Sequence, residues 1–189
     1  MEHVVIVSQS DRNTDIIITI LKKLPCREIS FAKTLGEARM MSFDYDIDLY
    51  IIFSPVDNKS GEDLAKELTS NGVSQVIMIV NNDNYDYLAS SVSRYGVLVV
   101  PSPVQKEIFW VTLKLASATI ARLQGFQKIN NKLTQKIEDI RIIDRAKCLL
   151  ISHLSMNEKD AHKYIEKKAM DIRTSKRMVA ETILKNYET

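Results

Sequence analysis

The sequence predicts an α/β domain followed by an all-α region: a five-stranded, parallel, doubly wound sheet, then a long coiled-coil linker helix and a C-terminal three-helix bundle. Three observations carry this. Five short apolar runs alternate with amphipathic stretches across roughly the first 120 of 189 residues. No proline follows Pro103, and beyond that point glycine is reduced to Gly125. Charge also divides along the chain: residues 1–121 hold 11 Lys/Arg against 15 Asp/Glu, a net of −4, whereas residues 122–189 hold 15 against 9, a net of +6. Such a split between halves points to a split in task.

Each element follows from its pattern. His3 to Val7 (HVVIV) reads as the first strand, and Asp11 to Lys23 as a helix with Ile16, Ile17 and Ile20 at helical spacing. Arg27 to Ala32 is the second strand, and Thr34-Leu35-Gly36-Glu37 has the form of a capping box that opens a helix through Met41. Asp48 to Phe53 is the third strand, Gly61 to Thr69 a helix, Gln75 to Val80 the fourth strand, Asp86 to Arg94 a helix and Gly96 to Val100 the fifth strand. Near-continuous Val/Ile runs suit strands covered on both faces, hence a parallel sheet. Functional sites in such sheets lie at the carboxyl ends of the strands.

After Pro103 a helix runs on through Leu115, and Phe126, Ile129, Leu133, Ile140 and Ile143 recur at heptad-like spacing, with Lys136 at one seam position. A second copy of the chain is the expected occupant of that seam; packing on the chain's own domains is the alternative. Gly125 interrupts the helix and is a candidate hinge. The helix is expected to end near Ile151 or Ser152. Ser155-Met156-Asn157-Glu158 forms a capping box for the next, whose inward face is Ala161, Ile165 and Ala169. Thr174 or Ser175 caps a last helix with Val179, Ile183 and Leu184 inward. Helices this short must share one core, with the end of the linker helix as first member. The expected domains are 1–122, a linker helix over 123–145, and a C-terminal domain over 133–189 that shares the end of that helix.

Composition excludes several classes. Hydrophobic content is 45%, enough for a sizeable core, and two cysteines, Cys26 and Cys148, make no disulfide framework. With no basic leader ahead of the first apolar run and no stretch near ~18 apolar residues, a cytoplasmic location without membrane contact is expected. The five glycines form no phosphate-cradling loop, and the three histidines join no nucleophile or metal-ligand grouping. No enzyme activity, metal or cofactor is expected. Cys148 lies within the helical pattern and is expected to be buried.

The βα order, Pro55 and Gly61 after the third strand, and Ser102-Pro103 after the fifth resemble the receiver domain of bacterial response regulators over residues 1–122. In that family an aspartate ends the third strand and accepts phosphate; here Phe53 stands there. The family's acidic, magnesium-holding pair is here Ser8 and Gln9, and its lysine is Ser102. Four charged groups are replaced by neutral ones, and hard cations prefer carboxylates, so the resemblance implies a receiver without phosphoryl chemistry. Asp57 and Asp11 remain nearby, more naturally as a turn residue and a helix cap than as substitute acceptors. Input through a regulatory protein or a small ligand stays open.

Arg145-Ala146-Lys147-Cys148-Leu149-Leu150-Ile151, then Ala161 to Asp171 (AHKYIEKKAMD), then Arg173, Val179-Ala180 and Ile183 resemble the ANTAR domain, an RNA-binding module of bacterial transcription antiterminators. The resemblance implies a dimer that stabilises hairpins in nascent mRNA and so excludes a terminator. The matching positions point to Lys147, Lys168 and Arg173. The basic pattern adds Lys163, Lys167, Lys176 and Arg177, with His162 and Tyr164 as stacking residues, since RNA hairpins are read by phosphate contacts and exposed loop bases. For Lys163 and Lys167 a solvated face is the plain alternative. Ala146, Ala161, Ala169 and Met170 suit helix packing better than RNA contact. Two other readings are weighed. One is a DNA-binding response regulator, disfavoured by the absence of glycine between Asp171 and Ser175; the other is a protein-interaction module.

Overall fold

Strand β1 (His3–Val7) is buried at all five positions, as its uninterrupted apolar run requires. It pairs in parallel with β2 (Glu28–Ala32) on one side and β3 (Leu49–Phe53) on the other. Strand β4 (Gln75–Asn81) pairs with β3, and β5 (Leu98–Ser102) with β4, both in parallel, giving the order β2-β1-β3-β4-β5. A computed structural model describes residues 1–10, 14–70 and 74–187. The expected helix start at Asp11 therefore lies outside the described residues, and α1 is described over Thr14–Leu21.

Alternation along each strand sorts side chains to two faces. Val5, Val7, Tyr50, Ile52, Val76, Met78 and Val80 pack under α2 (Leu35–Asp44), α3 (Glu62–Ser70) and α4 (Asn82–Val92). Val4, Ile6, Leu49, Ile51, Ile77 and Ile79 face α1 and the start of α5, where Phe109, Leu113, Ala116 and Ile120 are buried. The strands thus carry both cores, and the connections cross over as helices.

Local chemistry sets the element ends. Thr34 caps α2: its hydroxyl accepts from Glu37 N–H at 3.1 Å, while Glu37 Oε2 accepts from Lys33 N–H at 2.8 Å. Helix α4 begins at Asn82, four residues before the expected Asp86, because Asn82-Asp83-Asn84 is polar yet helical. Strand β5 lies two residues later than expected, over Leu98–Ser102, since Gly96 is left-handed (φ 78°) and ends the preceding 3-10 turn.

Helix α5 spans Lys106–Leu154, 49 residues, and Gly125 lies within it as ordinary helix with open space where a Cβ would stand. By internal contacts the chain forms two compact units, Met1–Gln127 and Lys128–Thr189. In the second, the end of α5 packs with α6 (Glu158–Asp171) and α7 (Lys176–Tyr187) around Ala146, Leu150, Ala161, Ile165, Ala169, Val179, Ala180, Ile183 and Leu184. The cap of α6 differs from expectation. Asn157 accepts from Asp160 N–H at 2.9 Å, and Ser155 lies in the left-handed region (φ 51°), ahead of the cap. Ser175 caps α7, its hydroxyl accepting from Met178 N–H at 3.2 Å.

Candidate functional site

Ser8, Gln9, Phe53 and Ser102, which sequence assigns to an altered phosphorylation site, line one pocket of about 260 Å³ together with Ser10, Ser54, Pro55, Ile79 and Asn81. The pocket lies at the carboxyl ends of β1, β3, β4 and β5. Phe53 ends β3, half-buried, where the sequence comparison needs a carboxylate. Asp57 is a turn residue: Asp57 and Asn58 have φ of 52° and 57°, and Val56 and Lys59 exchange backbone hydrogen bonds at 2.9 Å. Its carboxylate accepts from Gln9 Nε2 at 2.6 Å and from Leu35 N–H at 3.3 Å, tying the ends of β1 and β3 to the start of α2. Among the described residues no three His, Cys, Asp or Glu side chains gather as a metal site.

In the second unit, α6 turns its Ala161, Ile165 and Ala169 inward, so the intervening positions face solvent. Lys163 and Lys167 are exposed and four residues apart. Lys159, one further turn back, is exposed on the same row. Sequence reading missed it because it precedes the ANTAR-like stretch, although the four-residue spacing was there to see. With a 1.5 Å rise per residue, successive ammonium groups start about 6 Å apart. His162 is exposed beside the row. Tyr164 is half-buried against the bundle core, and Lys168 Nζ lies 5.5 Å from its ring centre and 3.3 Å from its hydroxyl. Lysine thus covers part of the ring expected to stack on bases.

Arg173 stands at the turn between α6 and α7 with φ 51°. Its N–H bonds Met170 O at 3.2 Å, and Thr174 N–H bonds Ala169 O at 2.9 Å, the pairing of a Schellman turn with Arg173 in the left-handed place. Glycine is the residue that takes this place without cost; an L side chain there costs about 1 kcal/mol. A strained, exposed arginine is a functional candidate on that ground.

Three of the expected cations are engaged within the bundle. Lys147 binds Asp144 at 2.8 Å and Glu158 at 3.2 Å with only 15% of its side chain exposed, and those two hydrogen bonds raise its pKa. Lys176 binds Glu166 at 2.5 Å and thereby lowers that carboxyl's pKa. Arg177 binds Glu181 at 2.7 Å and Asp139 at 2.8 Å, joining α7 to α5. These contacts give Lys147, Lys176 and Arg177 a role in holding the helices together.

Two apolar expectations need correction. Cys148 is exposed, because the inward stripe of α5 passes through Ala146 and Leu150, on either side of it. Met170 is 73% exposed, one residue past the inward Ala169. The seam of α5 also shifts. Phe126, Ile129, Leu133, Ile137 and Ile140 are exposed in one row, whereas Ile143 packs on the bundle core. Ile137 thus fills the row beside Lys136, the residue expected at that seam position.

Comparison with known proteins agrees with this geometry. Residues 131–184 match the ANTAR domain family. The chain is 27% identical over 144 residues to the transcriptional regulatory protein PdtaR of Mycobacterium tuberculosis, covering 75% of this chain and 69% of the relative. Among solved structures, it resembles a two component transcriptional regulator from Clostridium phytofermentans (TM-score 0.59, 16% identity, 66% of this chain and 98% of that one). It also resembles a response regulator receiver domain protein from Methanospirillum hungatei (TM-score 0.55, 15% identity, 65% and 98%). At those identities the structural likeness speaks for the fold of the sheet domain.

Proposed function

We propose, from the premise that this chain is an ANTAR response regulator with a receiver-like domain, that it is a cytoplasmic RNA-binding antiterminator whose receiver-like domain works without phosphorylation. The supporting observation is the cationic edge of the ANTAR domain: Lys159, Lys163 and Lys167 in one exposed row, with Arg173 held in a left-handed turn where glycine would fit more easily. Lysines at one-turn spacing suit a phosphate backbone, and each phosphate neutralised releases counterions. The work done is a shift between two folds of a nascent mRNA: binding to hairpins disfavours a competing terminator, by as much as the protein's affinities for the two folds differ. No covalent step is involved. The row from Ile129 to Ile140 favours a homodimer through α5, with heptad packing of like rows.

The test is a titration of the full chain against a two-hairpin leader RNA and a length-matched DNA duplex at two salt concentrations. The expected result is a preference for RNA that survives higher salt. Arg173→Gly separates binding from folding: it relieves the backbone, leaving thermal stability equal or higher, and weakens RNA binding. Equal, salt-sensitive binding to both nucleic acids would reduce the proposal to a basic surface. Unchanged RNA binding in Arg173→Gly would remove Arg173 from the interface. A monomeric mass at micromolar concentration would remove the dimer.

A further inference from the structure

The pocket that replaces the phosphorylation site is polar but carries no charge among its described lining residues. Its hydroxyl and amide groups divide into spent and available ones. Ser8 Oγ donates to Ser10 O at 2.9 Å and accepts from Ser10 N–H at 3.2 Å, so it is committed to its own loop. Gln9 commits its Nε2 to Asp57, which fixes the amide and leaves Oε1 as an acceptor. Asn81 stands at the N-cap position of α4, yet its side chain makes no cap hydrogen bond. Ser54 and Ser102 end β3 and β5 at the same rim, and Phe53 and Ile79 supply an apolar wall between them.

From these groups we infer that the pocket is a binding site for a small uncharged polyhydroxy compound, a polyol or monosaccharide. The Ser54 and Ser102 hydroxyls and the Asn81 amide meet its hydroxyl groups, and the Phe53 ring meets its C–H face. The charge balance selects this class. An anion entering the pocket meets no lining cation and a cation meets no lining carboxylate, so either gives up hydration without compensation. A neutral compound loses hydrogen bonds to water and regains them from hydroxyls and amides that both donate and accept. A purely apolar compound would strand those same groups. At about 260 Å³ the pocket lies below the roughly 300 Å³ at which sites for drug-sized ligands begin, which limits the ligand to a small one. Ser102 ends β5 immediately ahead of the segment that leads into α5, so an occupant touches the junction between sheet and long helix. This assignment stands apart from the RNA reading and does not depend on it.

Amide chemical shifts of the full chain, followed by NMR during titration with myo-inositol and separately with inorganic phosphate, test it. The expected result is saturable shifts in the millimolar range with myo-inositol, confined to Ser8–Ser10, Phe53–Ser54, Asn81 and Ser102. Asn81→Ala with Ser102→Ala, whose spectrum also reports that it is folded, should weaken the binding by about tenfold. Ser90→Ala, on the outer side of α4, should leave it unchanged. Linear, unsaturated shifts with myo-inositol, equal affinity in the double variant, or saturable phosphate binding at the same amides would each overturn the assignment.

Discussion

Tyr50 is fully buried in the centre of β3, and its hydroxyl has no hydrogen-bond partner within the protein. A buried hydroxyl left without a partner costs about 1–3 kcal/mol. Tyr50→Phe removes the group and keeps the ring. The void left by one oxygen, on the order of 10–15 Å³, costs back about 0.3 kcal/mol. The balance predicts that Tyr50→Phe stabilises the sheet domain by about 1 kcal/mol, an upward Tm shift on the order of 2–4 °C. The assay is urea unfolding followed by fluorescence of Trp110, the single tryptophan, which packs on the core of the same domain. The pH dependence supplies an independent arm. Burial pushes the Tyr50 hydroxyl from about 10 up to about 12. A raised folded pKa means stability that is whole below the unfolded value and declines as pH climbs from about 10 towards about 12. Wild type should therefore lose stability relative to Tyr50→Phe across that window and run parallel to it below. A variant less stable than wild type by more than about 0.5 kcal/mol at neutral pH would show that the hydroxyl is satisfied, and the reasoning would fail.

Three further outcomes are expected. Gly61→Ala should cost more than about 1 kcal/mol, because φ is 73° and the added Cβ would stand 3.2 Å from Ile52 Cγ2; thermal denaturation checks this, and a neutral change would refute it. Hydrogen bonds from Gln135 and then Arg177 lower the Asp139 pKa. The stability this brings is present above the ordinary carboxylate range and lost as pH falls through the lowered value. Asp139→Asn should accordingly flatten the acid limb of the bundle's stability profile, and an unchanged limb would argue against the pair. Phe53→Asp restores one carboxylate among neutral Ser8, Gln9 and Ser102; incubation with acetyl phosphate and magnesium should leave its intact mass unaltered, as it should that of wild type, and a phosphoryl adduct on either would count against the reading.

Sequence legibility varied with the range of the forces involved. Strands β1, β3 and β4 were visible to within a residue or two because burial on both faces forces uninterrupted apolar runs. The start of α4 was not, since Asn82-Asp83-Asn84 satisfies turn and first-turn helix preferences equally. Ser155 and Asn157 are both good caps two residues apart, and only the fold decides between them. Ser8, Gln9, Phe53 and Ser102 converge because strand ends in a parallel sheet share a rim. The ion pairs that occupy Lys147 and Arg177 were not legible. Their partners Glu158 and Asp139 lie 11 and 38 residues away, and charge patterning resolves only neighbours one turn apart.

Asp48 lies at the other rim of the sheet, just ahead of β3. Its carboxylate accepts from the Glu2 N–H and the His3 N–H, and from Gln124 Nε2 at 2.9 Å. One nearly buried side chain thus fastens the first residues of the chain and a late turn of α5 to the central strand. The lower rim is riveted, and the upper rim, with its loops and serines, holds the joints that can still adjust. Movement started at the upper rim would pivot about Asp48, as a lid works against its hinge pin, and cutting that pin should slacken the response before it unfolds the domain.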